Sequence, residues 1–217
     1  MLKIKDFTIK NLKSGKLKKA FPEFYELKNV IERDPVWHNN ESTFDHTLSV
    51  LKNLEKIIKR NKKLKKYLEK KVIENKKKDL LFLATVFHDL GKKETLTRIG
   101  EKFSFPRHEL VSAKKALRIL HGLNLKKEEK KIILGIVKNH SKPYSIVSEN
   151  NDNLEKEFKS FGRKNKDYII ELITMIMADM SDSPLRKNDP EKFKFRIKFY
   201  LKTLNKAYEN SQTFKTR

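Results

Sequence analysis

The run Leu80-Leu81-Phe82-Leu83-Ala84-Thr85-Val86-Phe87 restricts what this chain can fold into more than any other stretch. Eight apolar or small residues in succession leave no face for water, so a helix here must be buried on all sides. His88-Asp89-Leu90-Gly91-Lys92 follows at once. Two titratable side chains at the end of a buried helix stand at depth, where each needs a partner. Two readings are open on these residues alone. His88 and Asp89 either cap the helix end and pair with Lys92, or they bind one metal ion together with His and carboxylate ligands from other helix ends.

The rest of the chain supports a helical surround. Gly and Pro are scarce, six each in 217 residues, and the apolar spacing is almost everywhere that of a helix, which predicts an all-α protein. We expect one domain over residues 1–217, with a core over about 20–180 and a C-terminal helical extension over 188–210. Phe21, Phe24, Leu27 and Ile31 predict a helix over Leu17–Ile31, stopped by Arg33-Asp34-Pro35. Ser42 with Asp45 reads as a capping start for a helix carrying Phe44, Leu48, Leu51, Leu54 and Ile58, with His46 beside that stripe. Thr95 to Phe105 alternates around Gly100 and predicts one short hairpin. Further helices follow over Arg107–His121, with Gly122 as cap, and over Lys127–Asn139, with His140 just past it and Pro143 closing the segment. Tyr168–Met180 is a second nearly all-apolar helix with Asp179 near its end. Phe193, Ile197, Leu201, Leu204 and Tyr208 mark the last one.

Composition excludes several function classes. Cysteine is absent, which rules out disulfides, thiolate metal sites and a catalytic thiol, and fits a cytoplasmic protein. There is no apolar leader at the N-terminus, and Glu171 interrupts the longest apolar run, so no membrane span is expected. Lys+Arg number 51 against 28 Asp+Glu, a net charge of +23. Lysine enrichment alone is a feature of high-temperature proteomes, but the excess over acid favours anionic partners, nucleic acid first. Residues 59–78 hold eleven of the basic residues and two Glu; they form either a solvated helical surface or a phosphate-backbone contact surface.

Four of the six histidines, His46, His88, His108 and His140, sit at the ends of buried or amphipathic helices, and Asp89 and Asp179 end the two most apolar ones. His121, in the last turn of its helix, suits the helix dipole instead. Carboxylates at depth must shift their pKa or find a cation. A bound dication neutralises both aspartates and orients the imidazoles. The order His…His-Asp…His…His…Asp resembles the HD-domain superfamily of metal-dependent phosphohydrolases. Segments Phe44–Leu51 with His38, Phe87–Lys92, Phe105–Ala113 and Asn139-His140 resemble the HD domain of tRNA nucleotidyltransferases and related poly(A) polymerases. The nucleotidyltransferase head, with its Gly-Ser and paired-Asp motif, is absent. Arg107 stands where many relatives carry Gly.

The resemblance implies that His46, His88, Asp89 and Asp179 hold a first divalent transition metal, and that His108 and His140 hold a second with Asp89 bridging. Imidazole with carboxylate suits Mn, Fe, Co, Ni or Zn. Such ions supply a hydroxide and polarise a phosphoryl oxygen, and Lys92 would neutralise developing charge. Asp89 and Lys92 are thus the catalytic candidates, and Lys92, Arg107 and His38 the substrate-binding ones. For Arg107 a surface charge, and for His38 packing on Trp37, remain the simpler alternatives. The expected substrate is a nucleotide or RNA-end phosphate, as monoester or diester. Two competitors share the sequence evidence: a di-iron HD-domain oxygenase, and an RNA-binding helical module with a structural metal or none.

Overall fold

A computed structural model describes residues 2–33 and 40–213. The fold is all-α with one two-stranded hairpin. In chain order the helices are α1 (Ile9–Ser14), α2 (Pro22–Glu26), α3 (Thr43–Arg60), α4 (Lys62–Leu68), α5 (Lys77–Phe87) and α6 (Lys92–Thr95). Strands β1 (Thr97–Ile99) and β2 (Lys102–Ser104) come next. Then follow α7 (His108–His121), α8 (Lys127–Asn139), α9 (Lys142–Ile146), α10 (Leu154–Lys164), α11 (Ile169–Met180), α12 (Leu185–Asn188) and α13 (Pro190–Thr213). Among the described residues no helix is long and apolar enough to cross a membrane.

The apolar run does what its composition requires. Helix α5 is enclosed by α3, α4, α7, α8 and α11, and Leu80, Leu81, Leu83, Ala84, Val86 and Phe87 are all buried. Its far end meets aromatic side chains from the N-terminal segment: Phe87 packs edge-on to Phe7 and Phe21 at 5.8 and 5.6 Å between ring centres. Phe24 in turn meets Phe44 of α3 at 4.9 Å. Such pairs add roughly 0.5–1.5 kcal/mol each beyond the area they bury. They hold the start of α3 and the end of α5, the two His-bearing tips, in one place.

Helix α3 begins as its sequence predicts, with Ser42 Oγ accepting from the Asp45 amide at 3.0 Å. The hairpin pairs Arg98 with Phe103 across a turn in which Gly100 takes a left-handed φ of 60°. The continuous helix expected over 17–31 is broken. Pro22 starts a five-residue helix there, and Leu27–Asn29 tightens into a single 3-10 turn. Pro lacks an amide hydrogen and fits only a first turn, and burying Phe21, Phe24, Tyr25 and Leu27 together needs bends that a straight helix lacks. Pro143 likewise opens α9 instead of ending a segment. Gly122 ends α7 with a φ of −81°, so its role is not that of a left-handed cap.

The basic stretch 59–78 is not uniformly solvated. Leu64 and Leu68 are in the core. Lys77 Nζ reaches Glu171, fully buried on α11, at 2.6 Å. That pair gives Glu171, the acidic residue in the first turn of the second apolar helix, its counter-charge. In α13 the buried set is Arg196, Phe199, Tyr200, Leu204 and Tyr208, while Leu201 is exposed. The helix is rotated from the expected stripe because its aromatic residues bury more area than Leu201 would.

Candidate metal centre

The site assembles from helix ends. His88 is the residue at which α5 stops, and Asp89 and Leu90 continue as a tight turn. His140 is the corresponding residue at the end of α8. His108 opens α7, His46 occupies the fourth position of α3, and Asp179 lies one residue before the end of α11. Gly91 allows the closest of these approaches. A Cβ there would stand 2.5 Å from the His108 carbonyl oxygen and 2.6 Å from the Ser112 amide, and its own amide donates to Ser112 Oγ at 2.8 Å. Only glycine lets the start of α7 come this near to the His88-Asp89 turn.

Three imidazoles are oriented identically. Nδ1 of His88 faces the Thr85 carbonyl at 2.7 Å, Nδ1 of His108 that of Phe105 at 2.8 Å, and Nδ1 of His140 that of Val137 at 2.8 Å. A carbonyl only accepts, so each Nδ1 carries a proton and each Nε2 is left to face the cluster. All three Nε2 atoms converge on Asp89. His88 Nε2 lies 3.1 Å from Oδ2, while His108 and His140 Nε2 lie 3.2 and 3.5 Å from Oδ1. The two Nε2 atoms of His108 and His140 are themselves 3.0 Å apart. At that distance the two nitrogens share either a proton or a metal ion.

The fourth imidazole differs. His46 Nε2 meets Asp179 Oδ1 at 3.0 Å and lies 3.9 Å from Asp89 Oδ2, and its Nδ1 meets Asp182 Oδ2 at 2.9 Å. Asp182 also accepts a short hydrogen bond from Ser49 Oγ. Tyr144 donates its hydroxyl to Asp179 Oδ2 at 2.7 Å. Lys92, buried at 5% exposure, lies 2.9 Å from Asp89 Oδ2 and 2.6 Å from Glu32 Oε2. A cleft of about 240 Å³ opens onto His46, Asp89, Lys92, His108, His140 and Asp179, and Ser141, Tyr144 and Ser183 complete its polar wall.

Electrostatics favours a cation here. Burial alone would raise the Asp89 carboxyl, but His88 and Lys92 hold it well below the usual carboxylate range. Asp179 is likewise lowered, chiefly by His46, against the effect of burial. Burial would lower His46, yet hydrogen bonds to Asp179 and Asp182 hold it well above an ordinary imidazole. His88 is raised by Asp89 in the same way. His140 goes down, because burial and the neighbouring His108 outweigh Asp89. Glu32 and Asp89 thus flank the Lys92 ammonium, and Asp179 and Asp182 flank the His46 imidazole. Among the described residues, His88 Nε2 and Asp89 Oδ1 are buried without a well-formed hydrogen bond. Buried polar atoms normally have one. Ligand atoms of His46, His88 and Asp89 lie within 4.8 Å of one another, as do those of Asp89, His108 and His140. Nitrogen and carboxylate donors in this arrangement fit a divalent transition ion.

A model of the HD domain family matches residues 43–182. The chain belongs to the HD domain family. Members of that family are generally metal-dependent phosphohydrolases and bind divalent metals. The match begins at the first residue of α3 and ends at Asp182, so it encloses the six expected ligands, Lys92 and Asp182, while Glu32 precedes it. No curated protein matches the chain.

The structure brings together all six residues expected as ligands, with Lys92 beside them. Asp179 joins through His46 and does not fall within the tightest group. Arg107 is exposed, has a left-handed φ of 57°, and lies outside the cleft wall although it immediately precedes His108. His38 lies outside the described residues. His121 is exposed at the end of α7, away from the cluster. Sequence reasoning missed Glu32, Asp182, Ser49 and Tyr144. For Asp182 a signal existed: it follows Asp179 by three residues, the spacing that returns a side chain to the same helical face. Glu32 carries no local signal, since its partner Lys92 is sixty residues away.

Proposed function

We propose that this chain is a metal-dependent phosphohydrolase acting on a phosphomonoester or phosphodiester, cyclic esters included, of a nucleotide or RNA end. The observation that supports it most is the convergence of three imidazole Nε2 atoms on the buried Asp89 carboxylate at 3.1–3.5 Å, at the floor of an open cleft. His46, His88, Asp89 and Asp179 would hold one divalent ion, and His108 and His140 a second with Asp89 shared. When bound, such an ion supplies Lewis acidity, lowering the pKa of water and offsetting charge that develops on a phosphoryl group.

The chain's own residues prepare that chemistry. Backbone carbonyls of Thr85, Phe105 and Val137 fix three imidazoles through Nδ1–H and so aim each Nε2 at Asp89, where it could serve a metal ion. Tyr144 occupies one oxygen of Asp179 and leaves the other facing His46. Lys92 presents a permanent ammonium at the cleft wall, since Asp89 and Glu32 raise its pKa despite burial. Its charge is already shared between two carboxylates, so its first part is to hold Asp89, and charge on a bound phosphoryl group meets it second. Ser141 and Ser183 line the cleft beside the cluster, where Ser183 donates its hydroxyl to the Met180 carbonyl. Arg107, exposed immediately before His108, is a candidate phosphate contact.

An RNA-end or nucleotide substrate is favoured by the resemblance of Phe44–Leu51, Phe87–Lys92 and Phe105–Ala113 to the HD domain of tRNA nucleotidyltransferases, and by the net charge of +23. The test is release of phosphate, or ring opening of a cyclic ester, from a panel of nucleotides and RNA ends with Mn, Ni or Co. Turnover that is lost in His88→Ala and Asp89→Ala supports the reading. Turnover that survives both substitutions refutes it, and oxygen consumption by the iron-loaded protein would assign an oxygenase instead.

A further inference from the structure

Three of the four clustered imidazoles obtain their orientation from a backbone carbonyl three residues earlier. Such a carbonyl is available where a helix ends or has not yet begun. His46 has no such option. It lies inside the first turns of α3, where the Thr43 carbonyl three residues back already accepts from Thr47 Oγ1 at 2.8 Å. Its Nδ1 turns instead to Asp182 Oδ2, 2.9 Å away, on the turn that follows α11. Glu41 Oε1 lies on the same side at 3.9 Å. The second Asp182 oxygen is held by the hydroxyl of Ser49, one helical turn beyond His46 on α3. Both ends of the carboxylate are therefore fixed, one by the imidazole and one by the helix that carries it.

We propose that Asp182, braced by Ser49, is the positioning residue that fixes His46 as the Nδ1–H tautomer and aims its Nε2 at Asp89 and Asp179. A carboxylate does this more strongly than a carbonyl, because a charged acceptor roughly doubles the strength of the hydrogen bond. The imidazole gains electron density and becomes a better donor to a cation on its other side. The link from Asp182 through His46 to Asp179 joins the end of α11 to the start of α3. This inference rests on the metal-binding reading of the cluster, but the tautomer itself can be observed without any metal.

The experiment has two arms. In the metal-free chain, imidazole nitrogen–proton correlation spectra followed upward in pH until the His46 ring holds a single proton, with His46 assigned by comparison with His46→Gln, should show that proton on Nδ1. In Asp182→Ala the two tautomers should mix. Asp182→Asn keeps an acceptor oxygen and should retain Nδ1–H. In the second arm, calorimetric titration with Ni(II) should give an affinity about 10–100-fold weaker for Asp182→Ala, the range for loss of a partner behind a ligand, and a smaller loss for Asp182→Asn. A merely structural Asp182 would lower the melting temperature while leaving the tautomer and the affinity in place. The proposal is overturned if wild type carries the proton on Nε2, or if Asp182→Ala binds Ni(II) within twofold of wild type. Should Asp182→Ala fail to fold, the wild-type spectrum and the Asp182→Asn titration decide. If wild type takes up no Ni(II), the function proposed above falls, and the tautomer arm still judges Asp182.

Discussion

His46 and His88 bind protons more readily in the metal-free fold than free imidazoles do, because Asp179 and Asp182 face the first and Asp89 the second. A group whose folded pKa is raised contributes stability below its unfolded value, about 6.5 for His, and loses it as pH rises through the folded value. His140 has the opposite sign and costs stability as pH falls below about 6.5. Asp89 and Asp179 are depressed, so their contribution is present above about 3.9 and is lost only in strong acid. In chelator the chain should therefore be most stable near pH 6.5 and melt at lower temperature at pH 8.5. A divalent ion must displace the His46 proton, so the stabilisation it confers should grow over the same interval. Thermal melts at both pH values, with chelator and with Mn, check this; a chelated protein more stable at pH 8.5 contradicts it. At this scale the sequence was most legible where polarity and burial conflict. His and Asp after eight apolar residues cannot be ordinary surface groups, whereas Glu32 and Asp182 sit in segments that look solvated until the fold closes over them.

Among elements, the turn from α5 into α6 carries the most consequence per residue. Gly91 is the point at which α7 touches that turn, and the atoms a side chain would meet are two backbone atoms and the Cβ of Val111, none of which can rotate away. Gly91→Ala should force α7 outward, at a cost of about 1–3 kcal/mol for overpacking, and carry His108 away from Asp89. The expected outcome is a lower melting temperature together with weaker binding of metal, which melting and titration of the same variant would show; unchanged affinity would place the contact outside the site. The buried pair between Lys77 of α5 and Glu171 of α11 bears on stability alone. Removing one partner leaves an uncompensated charge, so Glu171→Ala should cost about 3–5 kcal/mol and leave the cluster's chemistry intact if the fold survives. Helix existence was readable from spacing, because α3, α5, α7, α8 and α11 each present a periodic or continuous apolar face. The bends at Pro22 and Pro143 were not, since they are set by which aromatic residues must share one core.

Over the whole molecule, positive charge is distributed unevenly in its pairing. Lys76, Lys93, Lys126, Lys131, Lys194 and Lys202 each meet an acidic side chain at 2.7–2.9 Å near the surface. Exposed pairs of this kind contribute about 0–1 kcal/mol each, so they leave the long-range field nearly untouched. With a net charge of +23 the chain should bind RNA with an affinity that falls steeply with salt. That binding should persist in chelator, while turnover should not. Binding measured between 50 and 200 mM salt with and without chelator separates the two, and salt-independent binding would contradict a backbone-phosphate contact.

All of this depends on the cluster around Asp89 holding a divalent transition ion. Elemental analysis of the purified wild-type chain beside Asp89→Ala is the most direct check. One or two bound ions per wild-type chain, lost in the variant, is the expected result; equal metal content in both, or none in a wild-type chain incubated with Mn, Co, Ni and Zn, contradicts it.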